Sequence, residues 1–113
     1  MNIDKFNTLV DYIFEERVKK VMCSKSTEYA RGNDKLYNFK RSAAVDGITP
    51  VEALRGMDLK HRTSISDMLD DLNDPEHIEY TRELWEEKLT DHINYMILLW
   101  AVLAEKYNWG SEE

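Results

Sequence analysis

The stretch from Trp85 to Ala104 constrains the fold more than any other. It reads as one long helix. At ~100° per residue, Leu89, Ile93, Met96, Trp100, Leu103 and Tyr107 share one side, while Glu87, Asp91 and Asn94 fall roughly opposite and Leu98 continues their line. From Met96 onward the helix is apolar all round, and such a helix must be covered on every side. Two carboxylates and an amide therefore enter a helix whose far end is buried. Polar groups held against a core need hydrogen bonds, cations or a ligand as partners. This is the best functional clue in the chain.

The rest of the sequence supplies helices to cover it. Ile3, Phe6, Val10, Phe14, Arg17 and Val21 share a face, which predicts a first long helix from Ile3 to about Tyr29, with Glu28 at the end of its apolar stripe. Arg31-Gly32-Asn33-Asp34 is a break. A short helix through Leu36, Phe39 and Ala43 follows and ends near Asp46-Gly47. Thr49-Pro50-Val51-Glu52 carries a capping box with proline at the first helical position. Gly56 is expected to close that second short helix. Asp58 to Leu72 is a medium helix, with His61, Ile65, Met68 and Leu72 on one face and Lys60, Ser64, Asp67 and Asp71 on the neighbouring one. Asp74-Pro75 marks the last boundary, and the final helix runs to about Asn108. The expected fold is a single all-α domain over residues 1–113: a compact helical bundle of two long, one medium and two short helices, in an oligomer.

Composition excludes several functions. The net charge is -7, from 15 Lys and Arg against 22 Asp and Glu, and no dense basic stripe exists, so duplex DNA is not an expected partner. Cys23 is the only cysteine, which rules out an intrachain disulfide and suits a reducing cytoplasm. Met1 to Lys5 does not read as a signal peptide. The apolar run Met96 to Ala104 is too short to span a bilayer, so no membrane is expected.

Glu87 and Asp91 are spaced i, i+4 and present their carboxylates on one side of the helix, where they repel unless a cation intervenes. That cation is Mg²⁺, which takes one or two carboxylates plus phosphate oxygens and water, or a lysine, Lys60 or Lys40. No glycine-rich phosphate loop and no zinc spacing is present. His61 on an apolar stripe reads first as a core histidine.

Three segments together resemble a known family: Glu28-Tyr29 with Leu36-Tyr37-Asn38-Phe39, then Lys60-His61 with Ser64 and Asp67, then Glu87-Lys88-Leu89-Thr90-Asp91 leading into Ile93-Asn94-Tyr95. Their order is similar to that of small phage and prophage MazG-like proteins, the all-α nucleotide pyrophosphohydrolase-like group. The resemblance implies a helical bundle paired with further copies, a nucleotide site within it, and Mg²⁺ held by acids of two helices that hydrolyse a nucleoside triphosphate to monophosphate and pyrophosphate. Glu87, Asp91 and Asp67 would be the catalytic and metal-binding acids. Lys60, His61, Ser64, Asn38, Asn94 and Tyr95 would hold the ligand and its phosphates. The second acidic pair of the group is replaced here by Lys60, His61 and Ser64, which implies a degenerate metal site.

Three readings follow: a Mg²⁺-dependent pyrophosphohydrolase, a non-catalytic protein that binds or sequesters a nucleotide signal in the host cell cytoplasm, and a purely structural helical homo-oligomer. The first two require the acids of the last helix to look across a cleft toward Lys60 and His61.

Overall fold

The structure, a computed structural model, describes residues 1–22 and 34–110. Among these residues the fold is all-α, a compact bundle of four helices. Helix α1 covers residues 3–22: an α-helical start, Ile3–Asp11, then π-helical turns, Tyr12–Val18, then a last α-helical turn. Helix α2 is Tyr37–Asp46, α3 is Pro50–Asp71 and α4 is Arg82–Lys106. The expectations for Cys23, Glu28, Tyr29 and the Arg31–Asn33 break lie outside the described residues.

Local chemistry sets the boundaries. The Asn2 side chain accepts the Lys5 N–H at 2.8 Å and starts α1. Gly47, at φ 69°, takes the left-handed position after α2, and the Ile48 N–H closes onto the Ala43 carbonyl at 2.9 Å. Thr49 and Glu52 form the capping box, with the Glu52 N–H on Thr49 Oγ1 at 3.2 Å and the Thr49 hydroxyl on Glu52 Oε1 at 3.1 Å. Thr81 caps α4 by accepting the Leu84 N–H.

Gly56 does not end a helix, and this corrects the expected helix count. Residues 50–71 form one continuous helix of 22 residues. Glycine inside a helix costs about 1 kcal/mol relative to alanine. Here Ala53 and Leu54 before it and Asp58 after it are all buried against neighbouring helices, and that packing outweighs the propensity.

α3 and α4 form an antiparallel hairpin and the most extensive helix pair, while α2 packs on α3 and the π-helical part of α1 packs on α4. Phe39 and Leu54 are fully buried and centre the core, with Leu36, Leu98 and Val102 around them and Met22, Val51, Met57, Tyr95 and Leu99 at its edge. Lys40 ties α2 to the end of α4 through Asp34 (2.8 Å) and Glu105 (2.6 Å). Among the described residues no helix is long and apolar enough to cross a membrane.

Candidate functional site

Two neighbours grip α4 from different directions. The π-helical turns of α1 deliver Tyr12 and Arg17. The Tyr12 hydroxyl donates to Glu86 Oε2 at 2.6 Å, and Arg17 Nε lies 3.5 Å from the same oxygen and 3.4 Å from Thr90 Oγ1. π-helical turns recur at functional positions because they re-aim side chains. From the other direction, α3 sets Asp58 against His92 and His61 against Tyr95.

These two grips divide the remaining surface of α4 into two arcs, by the 3.6-residue turn of the helix. One arc carries Glu87, Asp91, Asn94 and Leu98. The other carries Leu89, Met96, Trp100 and Tyr107. Asn94 and Leu98 are 6% and 8% exposed, whereas Met96 and Trp100 are 42% and 71% exposed. The polar arc is therefore the inner one. It grades from exposed Glu87 through half-buried Asp91 to buried Asn94.

α3 offers its own polar line to the same flank. The outer flank of the hairpin is a groove lined by Arg55, Asp58 and Arg62 of α3 and by Tyr95, Met96 and Leu99 of α4. Lys60, Ser64 and Asp67 lie on the side of α3 turned away from Arg55 and Arg62. Ser64 is half-buried; Lys60 and Asp67 are exposed. Lys60 has no carboxylate partner among the described residues, and Lys40 is engaged with Asp34 and Glu105 instead. Asn38, on α2, is exposed and stands apart from this line. Tyr95 belongs to the edge of the core.

Two polar atoms are buried without a hydrogen-bond partner among the described residues: Asn94 Oδ1 on α4 and His61 Nδ1 on α3. The His61 ring rests on Tyr95 at a centroid distance of 4.8 Å. More than nine-tenths of buried polar groups in proteins are hydrogen-bonded, so each of these two atoms is a feature to explain.

Sequence reasoning missed two clusters. In the first, Glu86 rather than Glu87 is the acid that meets α1. The Tyr12 hydroxyl, then Arg82, hold its carboxyl below the usual carboxylate range, and the same hydrogen bond raises the Tyr12 phenol. The signal was Arg17, a charge on the apolar stripe of α1. In the second, Asp58 is 5% exposed and bonded to His92 Nδ1 at 3.1 Å and Arg62 Nε at 3.2 Å. A carboxylate only accepts, so His92 carries its proton on Nδ1. The signal was the i, i+4 spacing of Asp58 and Arg62, hidden by treating Asp58 as a helix start.

Comparison with protein-family models, with curated proteins and with solved structures gave no match.

As for metal, no group of three or more His, Cys, Asp or Glu among the described residues is gathered closely enough to hold an ion. Glu87 and Asp91 lie on one arc of α4, Glu87 exposed and Asp91 half-buried.

Proposed function

We propose that this chain is a MazG-like nucleotide-binding protein whose ligand sits on the inner arc of α4, between α1 and α3. Asn94 Oδ1 accepts a donor of the ligand, such as a base amino group, and His61 Nδ1 offers a second polar contact. Lys60, unpaired among the described residues, would face the phosphates. Glu87 and Asp91, toward the open end, would take Mg²⁺ together with those phosphates. The observation that carries the reading is that Asn94 Oδ1 on α4 and His61 Nδ1 on α3 are both buried without a partner. A buried polar group without a partner costs about 1–3 kcal/mol, a cost that a ligand bonding to both would remove.

Titration calorimetry against a panel of nucleoside mono-, di- and triphosphates and cyclic dinucleotides, with and without Mg²⁺, tests this. Binding is expected, with at least a tenfold loss in Asn94→Ala and in Lys60→Ala. No heat with any ligand refutes the proposal.

A second reading, hydrolysis to monophosphate and pyrophosphate, is favoured by Asp91 and Ser64 both being half-buried. Pyrophosphate release that depends on Mg²⁺ and disappears in Glu87→Ala would establish it. Tight binding without pyrophosphate would identify a sequestering protein.

A further inference from the structure

We infer that the groove between α3 and α4 is a second binding site, and that its ligand is a small aromatic carboxylate. The apolar wall is Val51 and Leu54 of α3 with Tyr95, Met96 and Leu99 of α4. The charged side is Arg55, Asp58 and Arg62. The groove has a volume of about 260 Å³, just under the ~300–1,000 Å³ of drug-sized sites, so the ligand is small.

The charged side has an internal anchor. Arg55, Asp58 and Arg62 are spaced three and four apart, which sets them on one side of α3. Asp58 is 5% exposed, and each of its oxygens is held from a different helix. His92 Nδ1 of α4 meets Oδ1 at 3.1 Å, and Arg62 Nε of α3 meets Oδ2 at 3.2 Å. Replacing a buried ion pair by apolar residues of similar volume is often neutral or stabilising, so stability alone does not account for Asp58. What Asp58 supplies is position. It holds the half-exposed Arg62 guanidinium through Nε, and the terminal nitrogens carry the remaining N–H donors. Arg55, two turns earlier, is exposed and makes no ion pair among the described residues.

Charge sets the class of ligand. Two arginines stand against one aspartate whose oxygens are already engaged, so the groove is a positive hollow in a chain of net charge -7. The planar guanidinium fork matches a carboxylate, while a cation would meet Arg55 with nothing to balance it. The wall sets the body of the ligand. Tyr95 and Leu99 are half-buried and Met96 is at the exposed edge. Methionine sulfur and arginine planes both favour contact with an aromatic ring. A bare inorganic anion would leave this wall uncovered.

The site does not rest on nucleotide binding. Lys60 is on the side of α3 turned away from Arg55 and Arg62, and Asn94 is on the side of α4 turned away from Leu99. Amide-resolved NMR of the full chain, titrated with 4-phenylbutyrate, is the test, with octanoate, 4-phenylbutanol and 4-phenylbutylamine for comparison. Shifts are expected to centre on residues 51–62 and 95–99, with a Kd of about 1 mM or tighter for a ligand of this size. The alcohol and the amine should bind at least tenfold more weakly, and octanoate more weakly than the aromatic acid. Arg55→Gln should lose at least tenfold in affinity with its helical circular dichroism retained. If that variant loses helicity, Met96→Glu gives the second measurement: a carboxylate at the groove's edge should reject the acid and admit the amine. Equal affinity for acid and alcohol, tighter binding of octanoate, shifts centred on Lys60 and Asn94, or no shift at ten times that Kd overturns the inference.

Discussion

Replacing Asn94 by leucine should stabilise the fold and abolish ligand binding. Asn94 is 6% exposed and its Oδ1 has no partner. An unmet buried acceptor costs about 1–3 kcal/mol. Leucine has nearly the same volume, carries nothing to satisfy, and continues the apolar line begun by Leu98 one turn on. Any hydrogen bond made by the amide nitrogen would be lost, at about 1 kcal/mol. The net expectation is a gain of about 1 kcal/mol. For a chain near 100 residues that corresponds to a rise in Tm of about 4–8 °C. Thermal and urea unfolding followed by circular dichroism measure it. The unchanged urea slope would show that the native state is the one affected. Nucleotide, which should raise the Tm of the natural protein by mass action, should leave Asn94→Leu unmoved. A drop in stability of 1 kcal/mol or more at constant slope would mean that Oδ1 is satisfied after all. The argument for a waiting ligand would fall with it.

Acid should loosen the grip of α1 on α4. The Glu86 carboxyl is held low by the Tyr12 hydroxyl and then by Arg82, and Asp34 is held low by Lys40. Both bind fewer protons folded than unfolded, so their contribution is present above the ordinary carboxylate value, about pH 4, and is lost as pH falls below it. Tm measured from pH 6 to pH 3 should therefore drop, and Glu86→Gln should remove part of the drop. Phe39→Ala empties the centre of the core, where the ring is fully buried, and should cost about 3–5 kcal/mol in urea unfolding. Thr49→Ala removes the cap of α3 and should cost about 1 kcal/mol.

Much of the fold was legible because its signals are local. The Thr49-Pro50-Glu52 start, the Gly47 stop and the period of α1 each follow from short-range chemistry. Gly56 was misread for the same reason: propensity is local, while the packing of Ala53, Leu54 and Asp58 that overrides it is not. The site was legible in part. Asn94 is where a polar residue among apolar ones should be, inside. Glu86 and Asp58 were not found, because their partners, Tyr12 and Arg17 in one case and His92 in the other, are 74, 69 and 34 positions away. The π-helical turns of α1 add a further obstacle, since their i→i+5 hydrogen bonding shifts Tyr12 and Arg17 off the regular 3.6-residue period.

The larger lesson lies in which side of α4 faces in. Hydrophobicity alone would bury the Leu89–Trp100 line and expose the Glu87–Asn94 line. Within one chain the opposite holds for the extremes, with Trp100 mostly exposed and Asn94 buried. The proposed function accounts for the inner line: there its amide and acids would meet a ligand in a low-dielectric, partly closed setting. If Asn94→Leu gains stability while Trp100→Glu, at a mostly exposed position, leaves it unchanged, the two arcs are energetically independent. Additivity of the double variant to within about 0.5 kcal/mol, measured in urea unfolding, is then expected. A larger coupling would mean that the helix transmits a change on one arc to the other.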